Sequence, residues 1–170
     1  MQTDTQSSVL NDIRISDPSE HPLMAEGQPE VTREAILDIQ ERLSAAVANG
    51  ELQEPVMPLR HIFTDGAYAR ELTMPAGSVV VGKIHKHSHL NFITKGKVAV
   101  ATEFGQEVYT APYTFVSQPG TKRVVYILEE TVWTTVHVTP ETDLEKIEDY
   151  VIAKSFEEYD EYIRSRKEQQ

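Results

Sequence analysis

Residues Gly77–Gly96 read GSVVVGKIHKHSHLNFITKG and place three of the chain's six histidines within five positions. The two ends of the stretch, SVVVG and LNFIT, are rich in β-branched and aromatic residues, the composition of strands. The middle, with Lys83, His85, Lys86, His87 and His89, is polar and short enough to be a connection between them. The histidines there either converge on a metal ion or line a polar strand edge.

The same strand texture continues outward. LRHIFTDGAYARELT forms two short runs around Asp65–Gly66, a pair that favours the positive φ of a tight hairpin. Downstream, KGKVAVATEFG, EVYTAPYTFVS, KRVVYILEE and TVWTTVHVT are further runs of this kind, separated by Gly, Pro or charged residues. No pattern of helical length interrupts them between residues 58 and 138. Many short strands at such spacing imply a sandwich or a closed barrel.

Helices are expected on either side. Ala35, Ile36, Ile39, Leu43 and Val47 recur at helical spacing after a capping Thr32 and before Asn49–Gly50. Thr142-x-x-Glu145 and Ser155-x-x-Glu158 have the form of capping boxes, followed by Ile147, Tyr150 and Val151 and then by Phe156, Tyr159 and Ile163. Residues 1–30 are polar and punctuated by Pro18, Pro22 and Pro29, and read as a flexible arm. The expected organisation is an arm at 1–30, a helix within 31–50, a β-barrel over 51–140 and helices over 141–170.

The chain has 27 acidic and 16 basic residues, a net charge of −11, which argues against a protein that tracks nucleic-acid phosphates. It has no cysteine, so disulfides and thiolate ligands are excluded and a metal must use histidine or oxygen ligands. MQTDTQSSVLNDIR has neither the basic nor the apolar region of a secretory leader, and no stretch approaches the ~18 apolar residues of a membrane span. The expectation is a cytoplasmic protein without membrane or nucleic-acid partners. A phosphate loop, a dinucleotide fingerprint, a helical paired-histidine zinc pattern and a nucleophile elbow are all missing from the sequence.

Measured out, the opening stretch is Gly77, five residues, Lys83, one residue, His85, three residues, His89, six residues and Gly96. This resembles the first motif of the cupin superfamily, G(X)5HXH(X)3–4E(X)6G, with Lys83 at its first histidine and His89 at its glutamate. The second motif, G(X)5PXG(X)2H(X)3N, is poorly kept. Aligned on Gly120, it has Pro112, Gln118, Arg123 and Ile127 at its glycine, proline, histidine and asparagine. The resemblance covers about residues 58 to 138 and extends in wording to uncharacterised phage-type cupin-like proteins. It implies a mostly β fold, a cupin-like jelly-roll β-barrel with an N-terminal helix and C-terminal helices. A phage-encoded protein would work in the host cytoplasm.

In such a barrel His85 and His89 flank the turn and point inward, with His87 on the rim. His137, on the last strand, is the expected third ligand, and His61 is a poorer one. Three imidazoles and water suit Zn²⁺, Fe²⁺, Mn²⁺ or Ni²⁺. The plain alternative is that each is a hydrogen-bonded strand residue. Lys83 and Arg123, at ligand places, either make an anion pocket or turn away, Arg123 pairing with Glu129 or Glu130. Tyr126 and Trp133 either line the cavity or belong to the core. His21 is uninvolved.

The expected function is binding of a small, anionic molecule, with a divalent metal making the protein a lyase-, isomerase-, hydrolase- or dioxygenase-like enzyme. The alternatives are a metal-free cupin that senses or sequesters a ligand, and a phage structural or assembly protein with the barrel as scaffold. The helices bury more apolar surface than a lone barrel needs, so a homo-oligomer, in the simplest case a homodimer, is expected.

Overall fold

The computed structural model describes residues 31–168, so the arm read at 1–30 lies outside the described residues. Helix α1 (Arg33–Ala48) starts at Thr32, whose hydroxyl accepts from the Ala35 amide at 3.2 Å, and ends at Asn49. Its Ile36 is fully buried with Val124, against Val31, Ile39, Val79 and Val81.

The strands are β1 (Leu59–Thr64), β2 (Ala67–Met74), β3 (Val79–Val81), β4 (Ile84–His85), β5 (His89–Thr102), β6 (Gly105–Thr110), β7 (Tyr113–Ser117), β8 (Arg123–Val138) and β9 (Ile152–Ala153). Two helices, α2 (Leu144–Val151) and α3 (Phe156–Lys167), flank β9. Asp65–Gly66 makes the β1–β2 hairpin, with Thr64 opposite Ala67 and Gly66 at φ +77°. At α2 the sequence reading is off by one residue, because Asp143 rather than Thr142 caps the helix. Ser155 caps α3 as expected, its hydroxyl accepting from the Glu158 amide.

Seven strands form one sheet in the order β1-β2-β8-β5-β6, with β3 on β8 and β7 on β5, while β4 and β9 form a separate two-stranded ribbon. This corrects the expected closed jelly-roll barrel: the fold is mixed α/β, with three described helices and a sheet that does not close. Closure requires the outer strands of the sheet to pair, and among the described strands β1 and β6 stay as edges. Two expected strands, KRVVYILEE and TVWTTVHVT, are in fact one 16-residue strand, β8. With 14-residue β5 it forms a long central pair whose register slips between Ile93 and Val98. Such irregularities bend a strand pair. The bend lets Ile93 and Trp133 share a core with Val98, Val100, Val125 and Ile127 from the other half of the sheet. Curvature therefore makes an interior without a closed ring of hydrogen bonds.

Among the described residues no helix is long and apolar enough to cross a membrane.

Candidate metal centre

Alternation along the two central strands selects what faces the interior. On β5, His89, Asn91 and Ile93 are buried while Leu90 is exposed. On β8, Trp133 and His137 are buried, with Thr135 between them half-buried. The register pairs Leu90 with Val136 and Asn91 with Thr135, which sets His89 beside His137. On the other flank of β8, Tyr68 lies directly opposite His137. Cross-strand neighbours of this kind sit about 5 Å apart at Cβ, close enough for rings to touch.

His85 arrives differently. It belongs to β4, which is held by the C-terminal segment through the pairs Ile84–Ala153 and His85–Ile152. The Lys86 amide donates to the Val151 carbonyl at 2.8 Å, and the Gly120 amide to the His85 carbonyl at 2.9 Å. Buried Ile84 packs with Ala153 and Phe156 beneath the ribbon. The third imidazole is thus delivered by a strand outside the main sheet.

The three rings converge. Centroids are 4.1 Å apart for His85 and His89, and 5.1 Å for His137 with either. One ring nitrogen from each lies within 4.8 Å of the others. Burial, with like charge from the neighbouring imidazoles, lowers the His85 pKa to about 2 and that of His137 to about 4. Burial likewise lowers His89 to about 4, against the hydrogen bond to His87. All three are therefore neutral near pH 7, the form that ligates a metal. His89 donates from Nδ1 to the His87 carbonyl at 3.2 Å, which leaves Nε2 as its lone-pair nitrogen. Nδ1 of His85 is buried and has no hydrogen-bond partner. An unpartnered buried ring nitrogen beside two neutral imidazoles fits a divalent metal ion, so the cluster is capable of ligating one.

The cluster opens onto a cavity of about 540 Å³ between the inner face of the sheet and α2. Arg123 and Trp133 line it. The Arg123 guanidinium donates to Ser117 Oγ at 2.8 Å and lies 5.9 Å from the Phe115 and 6.0 Å from the Trp133 ring centres. It pairs with neither Glu129 nor Glu130, the latter being held by Lys95 at 2.6 Å. Lys83 reaches only the rim, where its ammonium is bound to Glu148 of α2 and both side chains are more than half exposed. Tyr126 does not line the cavity; it sits on β8 between Val79 and Ala99. His61 is an exposed rim residue, hydrogen-bonded through Nδ1 to the Tyr68 hydroxyl at 2.7 Å. His87 is not on the cavity rim: it points to the far side of its turn and packs between Tyr150 and Tyr162. His21 lies outside the described residues.

Sequence reasoning missed Arg70, Asn91 and Ser117. Asn91 is a buried hub: its Oδ1 accepts from Trp133 Nε1 at 2.9 Å and from Thr135 Oγ1 at 3.2 Å, and its Nδ2 donates to Ser117 Oγ at 2.9 Å. Counting in twos from His89 would have placed Asn91 on the same face. Ser117 is fixed only by its pairing with His89, which the sequence does not display.

No family model and no curated protein matches the chain. Among solved structures, the chain is similar to KdgF from Halomonas sp., with 18% identity, 54% of this chain and 87% of that one covered, and a TM-score of 0.45. An RmlC-like cupin from Shewanella frigidimarina matches at 16% identity over 54% and 83% of the two chains, with a TM-score of 0.44. An RmlC-like cupin family protein from Methanocaldococcus jannaschii matches at 12% identity over 52% and 84%, with a TM-score of 0.43.

Proposed function

We propose that the protein holds a divalent metal at His85, His89 and His137 and acts, in cupin-like fashion, on a small anionic molecule bound in the adjoining cavity. The observation that carries this reading is the gathering of three neutral imidazoles, His89 and His137 buried and His85 half-buried, with ligand nitrogens within 4.8 Å. Burying three polar rings together is costly unless something satisfies them. When bound, Zn²⁺, Fe²⁺, Mn²⁺ or Ni²⁺ supplies Lewis acidity and open positions for water or substrate. The chain's own residues then orient and exclude. Arg123 offers a cation to an anionic group, Trp133 gives an apolar wall, and the His87 carbonyl fixes the His89 tautomer. Lyase, isomerase, hydrolase and dioxygenase chemistry are all compatible with such a centre.

The test is metal analysis of protein purified without a histidine tag. About one divalent ion per chain is expected, falling to background in His85→Ala and His137→Ala while circular dichroism stays native-like. Wild-type protein that binds no divalent ion at micromolar concentrations would sink the metal-dependent reading and leave a metal-free ligand-binding protein.

A further inference from the structure

The charged groups around the cavity do not balance. Lys83 and Glu148 neutralise each other at the rim. That leaves Arg123 and Arg70, both lining the cavity, and among the described residues no carboxylate lies within 4.0 Å of either guanidinium. Arg123 is part-buried, whereas Arg70 is exposed at the cavity mouth and also borders a second cavity beside α1. In a chain with 27 acidic and only 16 basic residues, two such unpaired guanidiniums are not the outcome of a shortage of carboxylates.

The two come from opposite halves of the bent sheet. Arg70 rises from β2 opposite Thr135, close to the Tyr68–His137 pair. Arg123 opens β8 opposite Thr102, its carbonyl accepting from the Gly82 amide at 2.8 Å. His85 lines the same cavity as both guanidiniums. Between them the walls are apolar, with Leu72, Met74 and Val125. Arg123 is oriented in advance: Ser117 Oγ holds one amino group, and Asn91 holds Ser117 in turn. A planar fork fixed in this way suits a carboxylate.

We propose that the cavity takes a small dicarboxylate, one carboxylate on Arg123 and the other on Arg70, lying past the three-histidine cluster. This rests on the reading of the cavity as a small-anion site and narrows the anion to a doubly charged acid with a short apolar body. A single carboxylate meets only one guanidinium.

The experiment is calorimetric titration of the full chain with succinate, acetate and inorganic phosphate. It is run on zinc-loaded protein and on protein stripped with 1,10-phenanthroline, a chelator without carboxylates. Succinate is expected to bind best in both. Arg70→Gln lowers succinate affinity about fivefold and leaves acetate unchanged, in keeping with an exposed pair. Arg123→Gln lowers both about 100-fold, in keeping with a buried charged contact. Should Arg123→Gln fail to fold, Arg123→Lys serves instead, since it keeps the charge and removes the planar fork. Equal affinity for succinate and acetate, tighter phosphate binding, or indifference to Arg70→Gln would overturn the proposal. Arginine-dependent succinate binding by a protein that takes up no zinc would uphold it and remove the metal reading; zinc binding without succinate preference would do the reverse.

Discussion

At the scale of the residue, one hydrogen bond decides what His89 can offer. Its Nδ1 proton is committed to the His87 carbonyl, so the lone pair faces the cluster. Burial of the three rings also has a thermodynamic signature. Their pKa values fall from an ordinary 6.5 to about 4 for His89 and His137 and about 2 for His85. Below pH 6.5 the unfolded chain binds more protons than the folded one, so stability falls as pH drops, down through about pH 4 for His89 and His137. Above pH 7 both states are neutral at these sites and the cluster adds no slope. The melting temperature of the metal-free protein should therefore drop between pH 7 and pH 5. His137→Gln should flatten that drop, and an equally steep profile in the variant would show that other groups control it. Of these residues, His85 and His89 were legible from the motif spacing and His137 from its place on the last strand. Arg70 was not, because an arginine on a strand is ordinary until its neighbours are seen to leave it unpaired.

At the scale of the element, the bend in β5 is where local chemistry and global shape meet. Gly96 sits there at φ +90°, and a Cβ on it would lie 2.3 Å from the Glu130 carbonyl oxygen. Gly77, the opening glycine of the same motif, has φ +81° but open space where a Cβ would be. Gly77→Ala should thus cost only backbone strain, about 1 kcal/mol. Gly96→Ala adds a backbone clash and should cost about 3 kcal/mol or more in urea unfolding, or prevent folding. Equal costs would mean that the close approach on β8 relaxes freely. Element ends were read well where a side chain makes the signal, as with Thr32, Asp65–Gly66 and Ser155. The sequence reading ended one strand run at the Glu129–Glu130 pair and began the next at Thr131. Here the pair lies within β8 on exposed positions, and the strand simply continues.

At the scale of the whole molecule, two helical attachments do different jobs. Helix α1 stabilises the β3–β8 region through Ile36, in a cluster that contains none of the three histidines. The C-terminal segment is joined to the site itself, because Phe156 packs under Ile84 next to His85. Arg33 ties the two attachments together, bonded to Glu103 at 2.8 Å and stacked 4.3 Å from the Phe156 ring centre. Ile36→Ala and Phe156→Ala should each destabilise by about 3 kcal/mol, the usual range for emptying a core site. Only Phe156→Ala should also weaken zinc binding, by chelator competition under conditions where both variants are folded. Equal zinc affinities would mean that β4 is held without its helical support.

By itself the sequence determined the strand-rich centre, the flanking helices and the three imidazoles, because periodicity, capping residues and motif spacing are local properties that survive without a fold. Tertiary structure alone decided that the sheet stays open and that His85 is carried by a ribbon with the C-terminus. It also decided that Lys83 is spent on Glu148 while Arg70 is left without a carboxylate at the cavity mouth. Those outcomes depend on which distant strands pair and which charges meet, and contacts between residues far apart in the chain have no signature in its order.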